Sequence, residues 1–223
     1  TASTTFFAAL RVPLVVIGHA ASLLTLPWTI KPLWSPAVEL LSTKRAWTLA
    51  MQTLLVAAIA ALAFAATRSH IVLGTVVASG AIALASATHD IAADGFYLLA
   101  LDPPAQAAFV GVRNACYRLG RIFVTGAITY LAGAVEDLAG GKPAAWAIAF
   151  AAAGAVFAVG VVYCSATLPR PAGDRPRAGR GTAQSGQFLE ALVSYFRQPR
   201  IAAVLAFILL YRFGESMLTT MST

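Results

Sequence analysis

Long hydrophobic runs dominate this chain, and short polar stretches separate them. A helix that crosses a membrane needs about 20 mostly apolar residues. Six runs meet that length and predict helices at about 6–30, 47–66, 71–100, 105–135, 144–168 and from near 200 onward. Pro13 and Pro27 are expected to kink the first helix, because proline removes a backbone hydrogen bond. The pattern predicts an all-α membrane protein, a polytopic helix bundle.

The polar connections alternate in charge. Basic residues collect at 31–46 and 169–200, whereas 136–143 has no net positive charge. Because cytoplasmic loops carry an excess of Lys and Arg, we expect 31–46, 101–105 and 169–200 in the cytoplasm. The turns at 67–70 and 136–143 then face the other side. This alternation predicts a multi-pass protein of the cytoplasmic (inner) membrane, in contact with membrane lipids.

The same stretches predict the domain organisation. Residues 1–168 form an amino-terminal transmembrane bundle, and residues 169–198 form a linker rich in Pro, Gly and Arg. A short amphipathic helix is predicted at 188–196 within that linker. Residues 199–223 begin a second bundle. The sequence starts without a methionine and stops inside an apolar run, so we expect a fragment of a longer protein.

Composition supports the membrane assignment. The chain is 59% hydrophobic and 11% charged, whereas soluble domains carry about 25% charged residues. The mean hydropathy is +0.75. The net charge of +7 is assigned to loops, because no basic patch is interleaved with aromatic residues as nucleic-acid binding requires. Cys116 and Cys164 give neither a disulfide framework nor a metal motif, and no cofactor is predicted.

Three ionisable residues interrupt the apolar run at 71–100: His89, Asp90 and Asp94. A charge at the bilayer centre costs about 2.5–3.5 kcal/mol, so such groups normally face the bundle interior and find a partner. Asp90 and Asp94 are four apart and share a helix face. They predict either a structural ion pair or a functional site, which would be a proton relay or a binding site for a solute anion. His89 points away from Asp90, which argues against a metal site.

The partner is predicted from the turn at 101–105. Two antiparallel helices folded about Asp102 bring Arg113 and Asn114 within reach of Asp90. Arg118 is expected to be the most deeply buried cation, with Arg121 one turn further along. Asp90 is therefore predicted to pair with Arg113 or Arg118.

Arginine also suggests solute recognition, because the guanidinium group matches planar anions. Arg118, Arg121 and Arg212 are predicted to contact a carboxylate or phosphate group of a small-molecule substrate. Arg212 and Glu215 are three apart and can instead neutralise each other. The full set of predicted substrate-binding residues is Asn114, Tyr117, Arg118, Arg121, Tyr211, Arg212 and Glu215.

Four segments carry a resemblance to a known family. They are LPWTIKPLWSPAVELLSTKRAWTLAMQ (26–52), SATHDIAADGFYLLAL (86–101), FVGVRNACYRLGR (109–121) and LLYRFGES (209–216). In order and spacing they resemble the AmpG-like branch of the major facilitator superfamily, the anhydromuropeptide permeases, from about residue 6 to 223. The six predicted helices correspond in that register to helices two to seven. The resemblance implies a partial major facilitator fold, with two helix bundles around a central cavity.

The resemblance also implies roles for residues. Glu39, Lys44 and Arg45 would latch the two bundles together in one state. Glu39 stands where the family usually has Asp, and residues 40–43 replace its usual Arg and Gly. His89, Asp90 and Asp94 would line the inner end of the cavity, where they carry a coupling proton, hold Arg113 or Arg118, or both.

The expected function is secondary transport, proton-coupled, of a polar solute such as an anhydromuropeptide by alternating access. No enzymatic activity is expected. One alternative is a transporter of another solute class, such as an acyl- or nucleotide-linked metabolite. A more distant alternative is a membrane-embedded enzyme that uses His89, Asp90 and Asp94 on a lipid headgroup.

Overall fold

A computed structural model of the protein describes residues 2–175, without the side chains of 2–4, 36 and 40, and residues 197, 200, 201, 203, 206, 207 and 210. Within these residues the structure is helical and no β-strand occurs, which confirms the predicted all-α class. The helices are α1 (Ala2–Ala9), α2 (Leu14–Thr29), α3 (Lys31–Leu41), α4 (Lys44–Ala65), α5 (Ile71–Ala100), α6 (Pro103–Ala134), α7 (Glu136–Ala139) and α8 (Lys142–Thr167).

Four predicted helices are confirmed. They are α4, α5, α6 and α8, and the bounds of α5 coincide with the prediction at 71–100. The predicted sixth helix and the amphipathic helix at 188–196 lie largely outside the described residues. The segment that follows α8 up to Arg175 is irregular.

The first predicted helix is wrong in one respect, because it is two helices. The chain leaves the helical conformation between α1 and α2, where Arg11 has a φ of 57°. Pro13, which has no N–H to donate, then precedes the first residue of α2. Pro27 lies inside α2, two residues before its end. The connection at 31–46 is also more ordered than predicted, since it contains α3.

Membrane-spanning capacity rests on length and composition. Three helices in the described part of the chain are long and apolar enough to cross a membrane: α4, α5 and α8. The pair α2–α3, which bends by 44° at its break, makes a fourth span if it is counted as one. Six were predicted. α6 does not meet the criterion, because three arginines lower its hydropathy.

Small residues set the close packing of α4. Gly74 of α5 lies against Ala65, and Gly95 lies against Lys44 near the other end of α4. These two contacts fix an antiparallel register between α4 and α5. Helices in lipid associate through such close contacts, because lipid tails supply no hydrophobic driving force between them. α8 packs on the same helix, where Gly154 meets Ile59.

An aromatic cluster joins α1 to α8. The Phe6 ring lies 5.4 Å from the Trp146 ring and 5.6 Å from the Phe150 ring, centroid to centroid, and all three side chains are buried. α6 packs against α8 and α1, and α2 and α3 pack against α5. The helices α1–α8 all belong to one compact unit, Thr1–Arg177, and a second unit comprises Ala178–Thr223.

Candidate functional site

The candidate site begins on α5. Asp90 and Asp94 are one turn apart in its second half, and their side chains are 44% and 49% exposed. Each carboxylate nevertheless has a cationic partner. The two groups are therefore held by ion pairs and remain partly exposed at the protein surface.

Asp94 pairs with Arg113 of α6. The Arg113 guanidinium also lies 5.4 Å from the centroid of the Tyr97 ring, within the range of a cation–π contact. Exposed ion pairs contribute only about 0–1 kcal/mol to stability. The main structural effect of this pair is to connect α5 and α6 on the two sides of the turn that joins them.

Side-chain hydrogen bonds order the turn between α5 and α6. Asp102 caps α6, where its carboxylate accepts a hydrogen bond from the Ala105 N–H at 3.0 Å. The Tyr97 hydroxyl donates to the Gln106 carbonyl at 2.6 Å, and the Gln106 amide donates to the Leu101 carbonyl at 2.8 Å. These bonds fix the start of α6 relative to the end of α5.

Asp90 pairs with Lys31, not with Arg113 or Arg118, so the predicted partner is wrong. The reason is α3, which the sequence pattern did not predict. Lys31 is the first residue of that helix, and α3 packs against α5. Asp94, one turn nearer the joining turn than Asp90, takes Arg113 instead.

His89 lies beside this pair. Its Nε2 atom is buried and has no hydrogen-bond partner among the described residues. No three His, Cys, Asp or Glu side chains are grouped to hold a metal ion in the part of the chain that the structure describes.

The remaining predicted residues of α6 are exposed: Asn114, Tyr117, Arg118 and Arg121. Arg118 was expected to be the most buried cation, and this is wrong. In the described structure α6 packs mainly on α8 and α1 rather than along α5. Among the described residues, the buried cation is Lys44, whose residue is 5% exposed.

On a helical wheel, Arg118 and Arg121 lie on the same side of α6 as its buried residues. Ile128 and Ala132 are the buried residues of this helix. At about 100° per residue, Arg121 shares the azimuth of Ile128, and Arg118 lies within about 40° of Ala132. The opposite side carries exposed apolar residues such as Leu119 and Phe123. Arg113, Tyr117, Arg118 and Arg121 spread over about 140° of the α6 surface, and Arg113 connects that surface to Asp94 of α5. We call the region formed by Asp94 and these four residues the α5–α6 cleft.

The three residues of the implied latch come together at the start of α4. Lys44 pairs with Glu39 of α3. Arg45 donates to the carbonyl of Ser165 at 2.9 Å and to that of Leu168 at 3.2 Å, at the end of α8. Arg45 thereby satisfies carbonyls that have no partner within the helix.

Asp174 completes this arrangement. Its carboxylate accepts hydrogen bonds from the backbone N–H groups of Lys44 at 2.6 Å and Arg45 at 2.9 Å, which is where a helix N-terminus favours an anion. A cleft of about 270 Å³ lies beside it. We call it the Lys44 cleft; it is lined by Glu39, Ser42, Lys44, Gly95, Leu98, Leu99, Gly173, Asp174 and Arg175.

Sequence reasoning did not assign a site role to Lys31 or Asp174. Lys31 counted only as one of the basic residues of a loop, although Pro32 after it signals a helix start. Asp174 is the acidic residue in an arginine-rich stretch, and its partners are 129 and 130 residues away in the chain. Tyr211, Arg212 and Glu215 lie outside the described residues.

No family model, curated protein or solved structure matches this chain. The fold and the site therefore define its class by themselves. It is an α-helical protein with helices able to span a membrane, and ion pairs connect those helices to their neighbours.

Proposed function

We propose that this chain belongs to a secondary transporter that moves an anionic polar solute across the cytoplasmic membrane. The observation that carries the proposal is the placement of Arg118 and Arg121 on the packed side of α6, facing away from its apolar side. Arginine in a membrane helix is costly and normally faces a bundle interior or a water-filled cavity. Two guanidinium groups about 4.5 Å apart along the axis suit a carboxylate or a phosphate.

Asp94 and Arg113 supply a mechanism. Solute anion and the Asp94 carboxylate compete for the same guanidinium group. A proton on Asp94 removes the charge that holds Arg113, and Arg113 then turns to the solute. Asp90, one turn from Asp94, and the adjacent His89 are further groups that can exchange a proton. Solute binding and proton binding are thereby linked, as symport requires.

Two regions are assigned to alternating access. Asp94 and the α6 residues form the α5–α6 cleft, while Glu39, Lys44 and Arg45 hold α3, α4 and α8 together. A transporter exposes its site to one side at a time. In this proposal the α5–α6 cleft receives solute while the latch is closed, and the latch opens to release it into the cytoplasm.

The resemblance to the AmpG-like branch supports an anhydromuropeptide as the solute. Acyl- and nucleotide-linked metabolites carry the same anionic groups and are the second solute class. The headgroup-enzyme alternative receives less support, because both carboxylates it would need as catalytic groups bind cationic side chains.

Uptake into vesicles tests the proposal. The protein is reconstituted and supplied with a labelled anhydromuropeptide, with and without an imposed pH gradient. We expect accumulation that depends on the gradient. Arg118→Gln should lower uptake by at least about tenfold, the effect of losing about 1.4 kcal/mol of binding. Arg68→Gln is the control, because Arg68 lies in the turn after α4 and stacks on Phe64.

Three results would count against the proposal. Uptake without a gradient would remove proton coupling. No uptake by protein shown to be folded and inserted would remove the muropeptide assignment, and nucleotide- and acyl-linked solutes would be tested next. Equal loss of uptake in both arginine variants would mean that the α6 arginines have no special role.

A further inference from the structure

Two ion pairs connect helix α3 to two different helices. The residue from α3 is the cation in one pair and the anion in the other. At its first residue, Lys31 presents an ammonium group to Asp90 of α5. Near its other end, Glu39 presents a carboxylate to Lys44 of α4. The two tethers are eight residues apart, about 12 Å along the axis. One end of α3 thus reaches the carboxylates of the α5–α6 cleft, and the other end reaches the Lys44 cleft.

These charges stand where the helix itself disfavours them. A helix dipole favours acidic residues in the first turn and basic residues in the last. α3 has the reverse, with Lys31 at its start, Glu39 in its last turn, no acid in its first turn and no base in its last. Local helix stability therefore does not account for Lys31 and Glu39, whereas their partners on α5 and α4 do.

The Glu39–Lys44 pair is costly to break because Lys44 is buried. Lys44 is almost completely buried, and its methylene groups fill the space beside Gly95. A buried ammonium group without a partner is strongly unfavourable, so Glu39 cannot leave Lys44 unless the surroundings of Lys44 become wetter. A displacement of α3 that separates Glu39 from Lys44 therefore opens the Lys44 cleft.

The start of α3 is not continuous with α2. A break at Ile30 separates it from α2, and the two helices are bent by 44°. Pro32 removes one N–H donor from the first turn, which limits its other ties. The Lys31–Asp90 pair is thus a tether that holds this end of α3 against α5.

We propose that helix α3 couples the Asp90 carboxylate to the Glu39–Lys44 latch, so that a change at one end of the helix alters the contact at the other end. While Lys31 is bound to Asp90, α3 is held in the position that keeps Glu39 on Lys44 and the Lys44 cleft at its observed width. Release of Lys31 frees the start of α3, shifts its other end and widens that cleft. The linkage gives the transporter proposed above a route to the latch from Asp90, one of its proton-exchanging groups, and its purpose rests on that proposed function.

Thiol labelling at Ser42 tests the linkage without any transport measurement. Ser42 is half-buried, lines the Lys44 cleft and follows the last residue of α3. In protein with Cys116 and Cys164 replaced by serine, Ser42→Cys is labelled with a water-soluble maleimide. Asp90→Asn should raise the labelling rate by at least about fivefold, the lower end of usual coupling between sites. Lys31→Met breaks the same pair from the other side and should do the same.

The matched control is Asp94→Asn. It makes the same chemical change one turn away, but the partner of Asp94 lies on α6 rather than α3. Its labelling rate should stay within about twofold of the parent. The reversed pair, Lys31→Asp with Asp90→Lys, should bring the rate back toward the parent value, which a general loosening of the bundle would not do.

Unchanged rates in both Asp90→Asn and Lys31→Met would overturn the proposal. An equal increase in Asp94→Asn would also overturn it, since the effect would not pass through α3. Because labelling requires no solute, protein that labels as expected but takes up nothing would refute the transport function and leave the linkage standing.

Discussion

Asp102 fixes the geometry of the candidate site from a single position. Its carboxylate caps α6, and α6 carries Arg113 about 16 Å, or three turns, further along the helix. Replacing Asp102 with Ala leaves an N–H without its acceptor and should lower stability by about 1 kcal/mol. Thermal unfolding in detergent measures the loss. Asp102→Asn keeps an oxygen acceptor and should lose much less, so equal losses in the two variants would contradict the capping role.

At this scale the sequence predicted part of the site. The turn at 101–105 was enough to bring Arg113 near the carboxylates of α5, because two antiparallel helices leave few choices. It did not decide between Asp90 and Asp94. Lys31 was not considered, because it approaches α5 only through α3. No periodic pattern indicates this helix, which has 11 residues and contains two prolines after its first residue. Asp174 was not predicted either, because contacts between distant segments need the tertiary fold.

Single helices were predicted best where long apolar runs define them, as in α5. The prediction was poorer where a backbone break decides the outcome, as between α1 and α2. A positive φ at Arg11 is uncommon outside glycine, and nothing in the apolar pattern marks it. α6 shows a further limit. Its length was predicted, but its separation from α5 reflects packing on α8 and α1, which a sequence pattern does not contain.

The contact between α4 and α5 gives a prediction at the scale of helices. A Cβ atom at Gly74 would lie 3.1 Å from the Ala65 Cβ, whereas one at Gly80 meets nothing within 4 Å. Gly74→Leu should therefore push the helices apart and cost about 1–3 kcal/mol. Gly80→Leu makes the same change in the same helix and should cost little. Melting temperatures in detergent compare the two, and similar values would show that close packing at Gly74 is unimportant.

At the scale of the molecule, the membrane topology depends on whether α6 crosses the membrane beside α5 and α8. Its hydropathy is too low for an isolated span, but arginines that face a bundle interior do not meet lipid. If α6 crosses, the turn at Ser69 and the turn at Leu138 lie on the same side, because two spans separate them. If α6 does not cross, only α5 separates these turns and they lie on opposite sides.

Labelling from one side distinguishes these topologies. Ser69, Leu138 and Ala172 are exposed, and each is replaced by cysteine in protein whose Cys116 and Cys164 are serine. By the positive-inside rule, a reagent that cannot cross the membrane should label Ser69→Cys and Leu138→Cys from outside intact cells. Ala172→Cys follows α8 in a basic stretch and should react only after the cells are opened. Labelling of Ser69→Cys and Ala172→Cys from outside, with Leu138→Cys protected, would mean that α6 stays on one side, and the proposed α5–α6 cleft would then not lie within the membrane.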